Sequence, residues 1–296
     1  MIKVILRGGL GNQMFQYAAG LAVAKKNNDR LVLDTTYLND RFPRRQFTYR
    51  RYDLDVFTLA PEFTRLSTVS ERVPLPGVWL GADLALALAG GIAGVRFVKE
   101  RQPYVFDPEV FRAGPRGAVL WGFWQNPAYF KEIEEDVRRT FVFREPLMEA
   151  AAHIAEEIRN SNSVAIHVRR GDYTLPKYQG TYGDTNMAYY QSAIATIVER
   201  VKDPVFFVFS DDPEWCRANL KIARPVTYLD RSSAGPKAAF HLQLMALCKH
   251  NIIANSTFSW WGAWLNRNPG KIVVAPKRWH ANLTKGGLTL EQWIMV

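Results

Sequence analysis

The sequence predicts an α/β protein with parallel sheets. Short apolar runs typical of buried strands alternate with segments in which apolar residues recur at helical spacing. The alternation occupies both halves of the 296-residue chain, which is long enough to bury two cores. Polar clusters directly follow several runs, as in open α/β sheets that bind ligands at the carboxyl ends of their strands. We therefore expect two domains, residues 1–146 and 147–296, separated near Pro146.

The first half opens with a strand-helix-strand unit. Residues 2–6 and 31–34 form the apolar runs, and residues 12–26 carry apolar side chains on one helical face. The glycine-rich turn between strand and helix brings backbone close to a ligand. Asp34 stands where a dinucleotide-binding fold keeps its ribose-binding acid, so a nicotinamide-dependent oxidoreductase is a rival interpretation. Met14 occupies the place of the third glycine of that fingerprint, which argues against it.

Four polar residues of this half are candidates for ligand contact. Asn12 and Gln13 begin the helix, where two amides offer hydrogen bonds to hydroxyl groups. An asparagine cap with a solvent-facing glutamine fits the spacing equally well. Asp53 and Asp55 form a DxD pair, a weak pattern that holds metal in some glycosyltransferases, and we expect no metal there.

Two further segments indicate contact with large partners. Arginines and aromatic residues alternate from Arg41 to Tyr52, the densest local source of the net charge of +10. This pattern fits a nucleic acid, an anionic membrane surface, a sugar acceptor or a solvated loop. Residues 77–95 approach the length of a membrane span, but Asp83 and five glycines favour a buried or surface-lying helical segment.

Residues 96–144 are rich in aromatic side chains. Trp121-Gly122-Phe123-Trp124-Gln125 follows an apolar run, so we expect it to end a strand at the ligand-binding cleft. A tryptophan there can stack on a sugar ring, although core packing is the commoner role.

The second half contains four apolar runs, at residues 164–168, 205–209, 251–254 and 271–275. Polar residues follow three of them: Arg169, Arg170 and Asp172, then Ser210, Asp211 and Asp212, then Asn255, Ser256 and Thr257. Parallel strands would bring these clusters to one sheet edge. Paired guanidinium groups facing a helix N-terminus suit a diphosphate, although surface ion pairs and simple caps explain each cluster taken singly.

Four segments in chain order resemble motifs of one enzyme family: GGLGNQMFQY at 8–17, HVRRGDY at 167–173, FSDD at 209–212 and NSTFSWWG at 255–262. The second resembles the HxRRxD motif of fucosyltransferases that form α-1,2, α-1,6 and protein O-linked fucose. Together the four are similar to the bacterial α-1,2-fucosyltransferases. The resemblance implies a GT-B-like fold with two Rossmann-like domains facing a central cleft, the first on the acceptor side and the second binding GDP-fucose.

The resemblance also implies roles for individual residues. The donor-binding candidates are Arg169, which would contact the β-phosphate, with Arg170, Gln13, Asp211, Asp212, Ser256, Thr257 and Phe258. The catalytic candidates are Arg169, His167, Asp172 and Asn12, and the sequence does not identify the general base. Relatives commonly carry an acid where this chain has His241, which puts the donor contact of that helix in doubt.

The predicted activity is inverting transfer of L-fucose from GDP-β-L-fucose to the 2-hydroxyl of a terminal β-galactoside, without metal or cofactor. The expected partners are GDP-fucose and a galactose-terminated oligosaccharide, and nucleic acid is not expected. No signal peptide is visible, and Cys216 and Cys248 lack metal-ligand spacing, so we expect a cytoplasmic protein with peripheral contact to the inner membrane face. The alternatives are another fucosyl linkage or acceptor, and a basic protein that binds nucleic acid or an anionic surface.

Overall fold

The computed structural model of the protein describes residues 1–40, 48–72, 94–144, 149–171, 185–230, 238–280 and 288–296. The chain divides into two compact units, Met1–Arg144 and Glu145–Val296, named unit 1 and unit 2 below. Each unit contains its own parallel sheet with helices between the strands. The predicted fold class, two Rossmann-like α/β units, is therefore confirmed.

Unit 1 contains a five-stranded sheet in the order β3-β2-β1-β5-β4, with every neighbouring pair parallel. Its strands are β1 (Ile2–Ile5), β2 (Leu31–Asp34), β3 (Glu62–Phe63), β4 (Arg96–Lys99) and β5 (Ala118–Trp121). Its α-helices are α1 (Leu10–Lys26), α2 (Thr36–Asn39), α3 (Arg65–Arg72) and α4 (Glu134–Thr140). Short 3-10 helices cover Leu54–Val56, Pro108–Phe111, Pro127–Tyr129 and Lys131–Ile133. The predicted strand-helix-strand unit is confirmed, and β5 ends at Trp121 as expected.

Helix α1 packs closely on β1 because Gly20 has no side chain. A Cβ atom at Gly20 would lie 2.4 Å from Cγ2 of Val4. The turn before the helix also needs glycine, since Gly8 has a φ of +77° and a Cβ atom there would lie 2.4 Å from Nδ2 of the Asn12 side chain. These contacts fix the helix start relative to the end of β1.

Unit 2 contains a six-stranded sheet in the order β11-β10-β9-β6-β7-β8, again with every neighbouring pair parallel. Its strands are β6 (Asn162–Val168), β7 (Pro204–Ser210), β8 (Val226–Leu229), β9 (His250–Ile252), β10 (Val273–Ala275) and β11 (Ile294–Met295). Its helices are α5 (Glu149–Asn160), α6 (Met187–Arg200), α7 (Pro213–Asn219), α8 (Ala238–Leu247) and α9 (Thr257–Leu265). The four predicted strands are present, whereas the sequence pattern did not indicate β8 and β11.

The central strand β6 contributes to both cores of unit 2. Val164, Ile166 and Val168 pack with α6 in one buried cluster, and Ala165 packs with α5 and α8 in the other. Alternate residues of a strand point to opposite faces, and both faces of this sheet are covered. That double burial explains why residues 164–168 of β6 are apolar except for His167.

A buried amide network joins helix α9 to the strand before it. Asn266 Nδ2 donates to the Cys248 carbonyl oxygen at 2.7 Å and to Asn251 Oδ1 at 2.7 Å, and Asn251 Nδ2 donates to the Met245 carbonyl oxygen at 2.9 Å.

We expect Asn266→Ala to lower the free energy of unfolding by about 1–3 kcal/mol, because buried acceptors lose their donor. Urea denaturation measures it, with exposed Asn219→Ala as the control. Equal stability of the two variants would contradict the network's importance.

No helix in the part of the chain that the structure describes is both long and apolar enough to span a membrane. The apolar segment singled out in the sequence lies outside the described residues, apart from its last two positions.

Candidate functional site

The carboxyl ends of three strands of unit 2 meet at one edge of its sheet. Strand β6 lies between β9 and β7, and its residue His167 is in register with Phe209 of β7. The chain therefore leaves β6 at Arg169 beside the place where it leaves β7 at Asp211. The predicted meeting of the polar clusters at one edge is confirmed for these two strands by direct contacts.

Asp211 holds the first arginine and the backbone that follows it. Arg169 Nη1 lies 2.7 Å from Asp211 Oδ2. The N–H of Arg170 donates to Asp211 Oδ1 at 2.9 Å, and the N–H of Gly171 donates to Oδ2 at 3.1 Å. Both side chains remain about one quarter exposed, 28% for Arg169 and 25% for Asp211. The carboxylate thus fixes the turn after β6 while the guanidinium group stays accessible to solvent.

Gly171 is required by the same arrangement. A Cβ atom at this position would lie 2.6 Å from Asp211 Oδ2. Real Cβ atoms do not approach an oxygen so closely, so any side chain would push the carboxylate away from the turn. This close approach is the structural reason for the glycine in the HVRRGDY segment.

Arg170 is held by a different pair of side chains. Its Nε donates to Asp212 Oδ2 at 3.0 Å, and its guanidinium carbon lies 3.9 Å from the centre of the Trp215 ring. Asp212 also caps α7, since Oδ1 accepts from the Trp215 N–H at 3.1 Å. Cation–π contact and ion pairing leave Arg170 less free to reorient than an unpaired surface arginine. Trp215 had no signal in the sequence beyond its place in a short helix.

The carboxylates of Asp211 and Asp212 contact the protein itself in this structure, and their nucleotide contact stays a prediction. Asp211 accepts from Arg169 and from two backbone N–H groups, and Asp212 accepts from Arg170 and from the α7 backbone. Both acids therefore position the arginines. The reason lies in the parallel register, which places β7's end within ion-pair distance of β6's end.

His167 is an uncharged residue of the site wall. It is 6% exposed, and its Nδ1 has no hydrogen-bond partner among the described residues. Burial, with smaller contributions from the Arg169 charge and from His241, lowers the pKa of His167 to about 3, and Asp211 opposes this shift. The imidazole is therefore neutral at physiological pH, and a group with so low a pKa is a weak proton acceptor. This environment does not favour the acid-base role considered for it.

The start of α9 approaches the same strand end. The His167 and Phe258 ring centroids are 5.7 Å apart, which places the first turn of α9 against the end of β6. Ser256 is the N-cap residue but makes no side-chain cap hydrogen bond. Ser256, Thr257 and Phe258 are all partly exposed, whereas the following Ser259 is buried and bonded to backbone carbonyls. A helix N-terminus in this position favours negative charge.

Two other predicted residues have different outcomes. His241 lies in α8, where its ring packs on Phe209 with centroids 5.8 Å apart, one strand away from His167. It therefore does lie near the candidate site, as its alignment with an acid of relatives requires. Asp172, a catalytic candidate, lies outside the described residues.

In unit 1, the Gln13 side chain is committed to the protein itself. Its Nε2 donates to the carbonyl oxygens of Gly8 and Arg51, both at 2.8 Å, and its Oε1 accepts from the Asp53 N–H at 2.9 Å. The side chain is fully buried. The expected ligand contact of Gln13 is therefore not favoured, because α1 uses this amide to tie down residues 51–53.

Asn12 keeps a position at the carboxyl edge of the unit 1 sheet. It is partly exposed, and its Oδ1 accepts from Gln125 Nε2 at 2.9 Å. Gln125 follows β5, so the contact joins the ends of two neighbouring strands. The sequence indicated Gln125 only as the last residue of the aromatic segment after β5, since the pairing of β1 with β5 is what brings it to Asn12.

The two acidic patterns of unit 1 have structural roles. Asp34 is 4% exposed and accepts hydrogen bonds from Thr36, Thr64 and Ser67, so its carboxylate is not offered to a ribose. Asp53 pairs with Arg51 at 3.7 Å, and burial raises the pKa of the Asp53 carboxyl. Among the described residues there is no group of three potential metal ligands. Metal independence stays a prediction.

Sequence comparison places the chain among glycosyltransferases. The model of glycosyl transferase family 11 matches residues 116–296. The O-antigen biosynthesis glycosyltransferase WbnK of Escherichia coli is 36% identical, covering 98% of both chains. An α-1,2-colitosyltransferase of the same species is 32% identical over 98% of this chain and 97% of its own length. Human galactoside α-(1,2)-fucosyltransferase 1 is 30% identical over 87% of this chain and 63% of its length.

Solved structures share the fold at much lower identity. Fucosyltransferase NodZ from Bradyrhizobium gives a TM-score of 0.50 at 13% identity, with 88% of this chain and 91% of that chain covered. A mutant of Arabidopsis thaliana FUT1 in complex with GDP gives a TM-score of 0.53 at 13% identity, with 93% and 69% covered. The fold likeness agrees with the family match and with the full-length relatives. The chain belongs to glycosyl transferase family 11.

Proposed function

We propose that the protein is an inverting, metal-independent α-1,2-fucosyltransferase that moves L-fucose from GDP-β-L-fucose to the 2-hydroxyl of a terminal β-galactoside. The observation that carries the proposal is the turn after β6, where Arg169 is exposed, charged and anchored 2.7 Å from Asp211. Family membership supplies the reaction class, and the relative named as a galactoside α-(1,2)-fucosyltransferase supports the linkage.

Departure of GDP requires stabilisation of negative charge that develops on the β-phosphate. Arginine suits this task because its planar fork binds phosphate oxygens bidentately and stays charged. Asp211 pairs with Nη1 of Arg169, and the Arg169 side chain is 28% exposed. We assign Arg169 the contact with the departing phosphate and Asp211 the task of orienting it.

The first turn of α9 supplies a second source of positive potential. Partly exposed Ser256 and Thr257 lie at the helix start, and the neighbouring Phe258 ring touches the His167 ring at the end of β6. Backbone N–H groups at a helix start and fixed hydroxyl groups stabilise an anion without reorganisation. We therefore assign the diphosphate to the space bordered by Arg169 and this helix tip, with neutral His167 between them.

One relative supports a second candidate for the donor sugar. The relative that is 32% identical over nearly the whole chain is named as an α-1,2-colitosyltransferase, a name with the same linkage and a different sugar. Both sugars would leave the same nucleotide, which makes the arginine site indifferent to the choice. The donor sugar is therefore tested separately from the leaving group.

Incubation with GDP-fucose and lactose is expected to release GDP and form a 2-O-fucosylated product in the presence of EDTA. Product linkage is read by NMR, and GDP-colitose replaces GDP-fucose in a parallel reaction. Added Mg²⁺ should not raise the rate. Absence of transfer across a panel of β-galactosides would reject the acceptor assignment, and absence of GDP binding by calorimetry would reject the donor assignment.

A further inference from the structure

A cluster of aromatic and polar side chains occupies the carboxyl edge of the unit 1 sheet. The guanidinium carbon of Arg7 lies 4.7 Å from the Trp121 ring centre and 4.1 Å from the Phe123 ring centre. Tyr37 packs edge-on against Trp121, with centroids 5.8 Å apart. All four side chains are partly exposed, although residues of these types would add more stability if buried.

The loop that carries Phe123 is held in place at separate points. Glu100 accepts from the Phe123 N–H at 2.7 Å and from the Trp124 N–H at 3.0 Å. Gln16 Nε2 donates to the Gly122 carbonyl oxygen at 2.9 Å, and its Oε1 accepts from the Arg7 N–H at 3.1 Å. The structure thus fixes both partners of the arginine-aromatic stack.

The backbone of this loop is in a conformation that requires such support. Trp124 has a φ of +55°, a left-handed backbone conformation that is strained for a non-glycine residue. Gly122 has no room for a side chain, since a Cβ atom would lie 2.4 Å from Cβ of Glu100. Strain of this kind persists where the surroundings overdetermine it, and it concentrates at binding sites.

The charge of the cluster identifies the class of ligand. Burial raises the pKa of Glu100, while the backbone donors and the Arg7 charge lower it, so the acid and the arginine interact. The pair is close to electrically neutral when Glu100 is ionised. Flat aromatic surface with adjacent amide and guanidinium donors matches a neutral sugar, which has an apolar C–H face and hydroxyls at its rim. Asn12, partly exposed and bonded to Gln125, adds an amide at the same edge.

We propose that Phe123 and Trp121, with Arg7 between them and Asn12 beside them, form a subsite for a neutral pyranose ring of the acceptor glycan. Glu100 is a positioning residue that holds the loop through its two backbone hydrogen bonds. The inference rests on the proposed transfer to a glycan. It adds the surface of this chain that recognises that glycan and the chemistry by which it does so.

Acceptor binding is tested without donor, so that the result does not depend on transfer. Saturation-transfer-difference NMR with methyl β-galactoside and lactose is compared for the wild-type chain, Phe123→Leu and Phe123→Ala. Phe123→Leu keeps apolar bulk and removes the ring face, so its affinity is expected to fall about fivefold to tenfold. The matched control is Phe106→Leu, an exposed aromatic of unit 1 whose ring packs on Phe111 and Tyr129.

GDP affinity and melting temperature are measured on the same proteins and should be unchanged in Phe123→Leu. In the transfer assay Phe123→Leu should raise the acceptor KM, whereas Phe106→Leu should leave it unchanged. Three results would overturn the subsite. The first is unaltered sugar affinity in both Phe123 variants, and the second is a variant that loses affinity for GDP or for an oligonucleotide and not for the sugars. The third is the absence of saturation transfer to either sugar in the wild type. Failure of the proposed function has a different signature, in which the sugars bind wild type but receive no fucose or colitose.

Discussion

Arg169→Ala is expected to reduce kcat/KM for glycosyl transfer by about 10²- to 10³-fold, the range found when one donor to a developing anion is removed. The guanidinium group is anchored 2.7 Å from Asp211 and partly exposed, so it can act on a phosphate oxygen without first being ordered. Arg169→Lys should recover only part of the loss, because an ammonium group keeps the charge but not the bidentate fork. Steady-state kinetics with GDP-fucose measures both variants.

The control for this experiment is Arg224→Ala. Arg224 is exposed and lies just before β8, at the opposite edge of the same parallel sheet. Its substitution by alanine removes the same formal charge as Arg169→Ala. Its activity should match the wild type, which separates a local role of Arg169 from a general effect of net charge. Near-normal turnover by a folded Arg169→Ala protein would reject the phosphate contact.

Asp211→Asn is expected to lower kcat/KM by about 10²-fold, although Asp211 is not assigned to substrate. The carboxylate pairs with Arg169 and accepts from the N–H groups of Arg170 and Gly171, so an amide would leave the arginine misdirected and the turn loosened. A misplacement of about 1 Å is enough for a loss of this size. The matched control is Glu214→Gln, which also neutralises a carboxylate and should leave activity unchanged. The Glu214 side chain is 82% exposed on the neighbouring helix α7.

The kinetic split distinguishes two roles for Asp211. A positioning carboxylate predicts lower kcat and weaker GDP binding in Asp211→Asn. A carboxylate that merely competes with the donor phosphates for Arg169 predicts tighter GDP binding and a lower KM. Calorimetry of GDP binding to the wild type and the variant decides between them, and tighter binding would contradict the orientation assigned here.

The order of strands and helices followed from apolar periodicity, because buried strands and amphipathic helices leave different spacings in a chain. Residues 31–34 and the runs that became β6 and β7 illustrate this, with ends displaced by two residues at most. Strand β8 was not predicted, since three of its four residues are only partly buried and it contains no apolar run. Strand β11 has two residues and depends on pairing with β10.

The sequence by itself determined the two α/β halves, the polar clusters that follow strands, and the four segments that resemble the fucosyltransferase motifs. Only the tertiary structure decided which of the candidate side chains are already bonded to the protein itself. Gln13 and Asp211 were ligand candidates by position. In the structure Gln13 hydrogen-bonds to backbone groups, and Asp211 contacts Arg169 and two backbone N–H groups. The sequence indicated Phe123 only as part of the aromatic segment after β5 and did not indicate Glu100. The contacts that define them join residues 23 to more than 100 positions apart, and periodicity carries only local information.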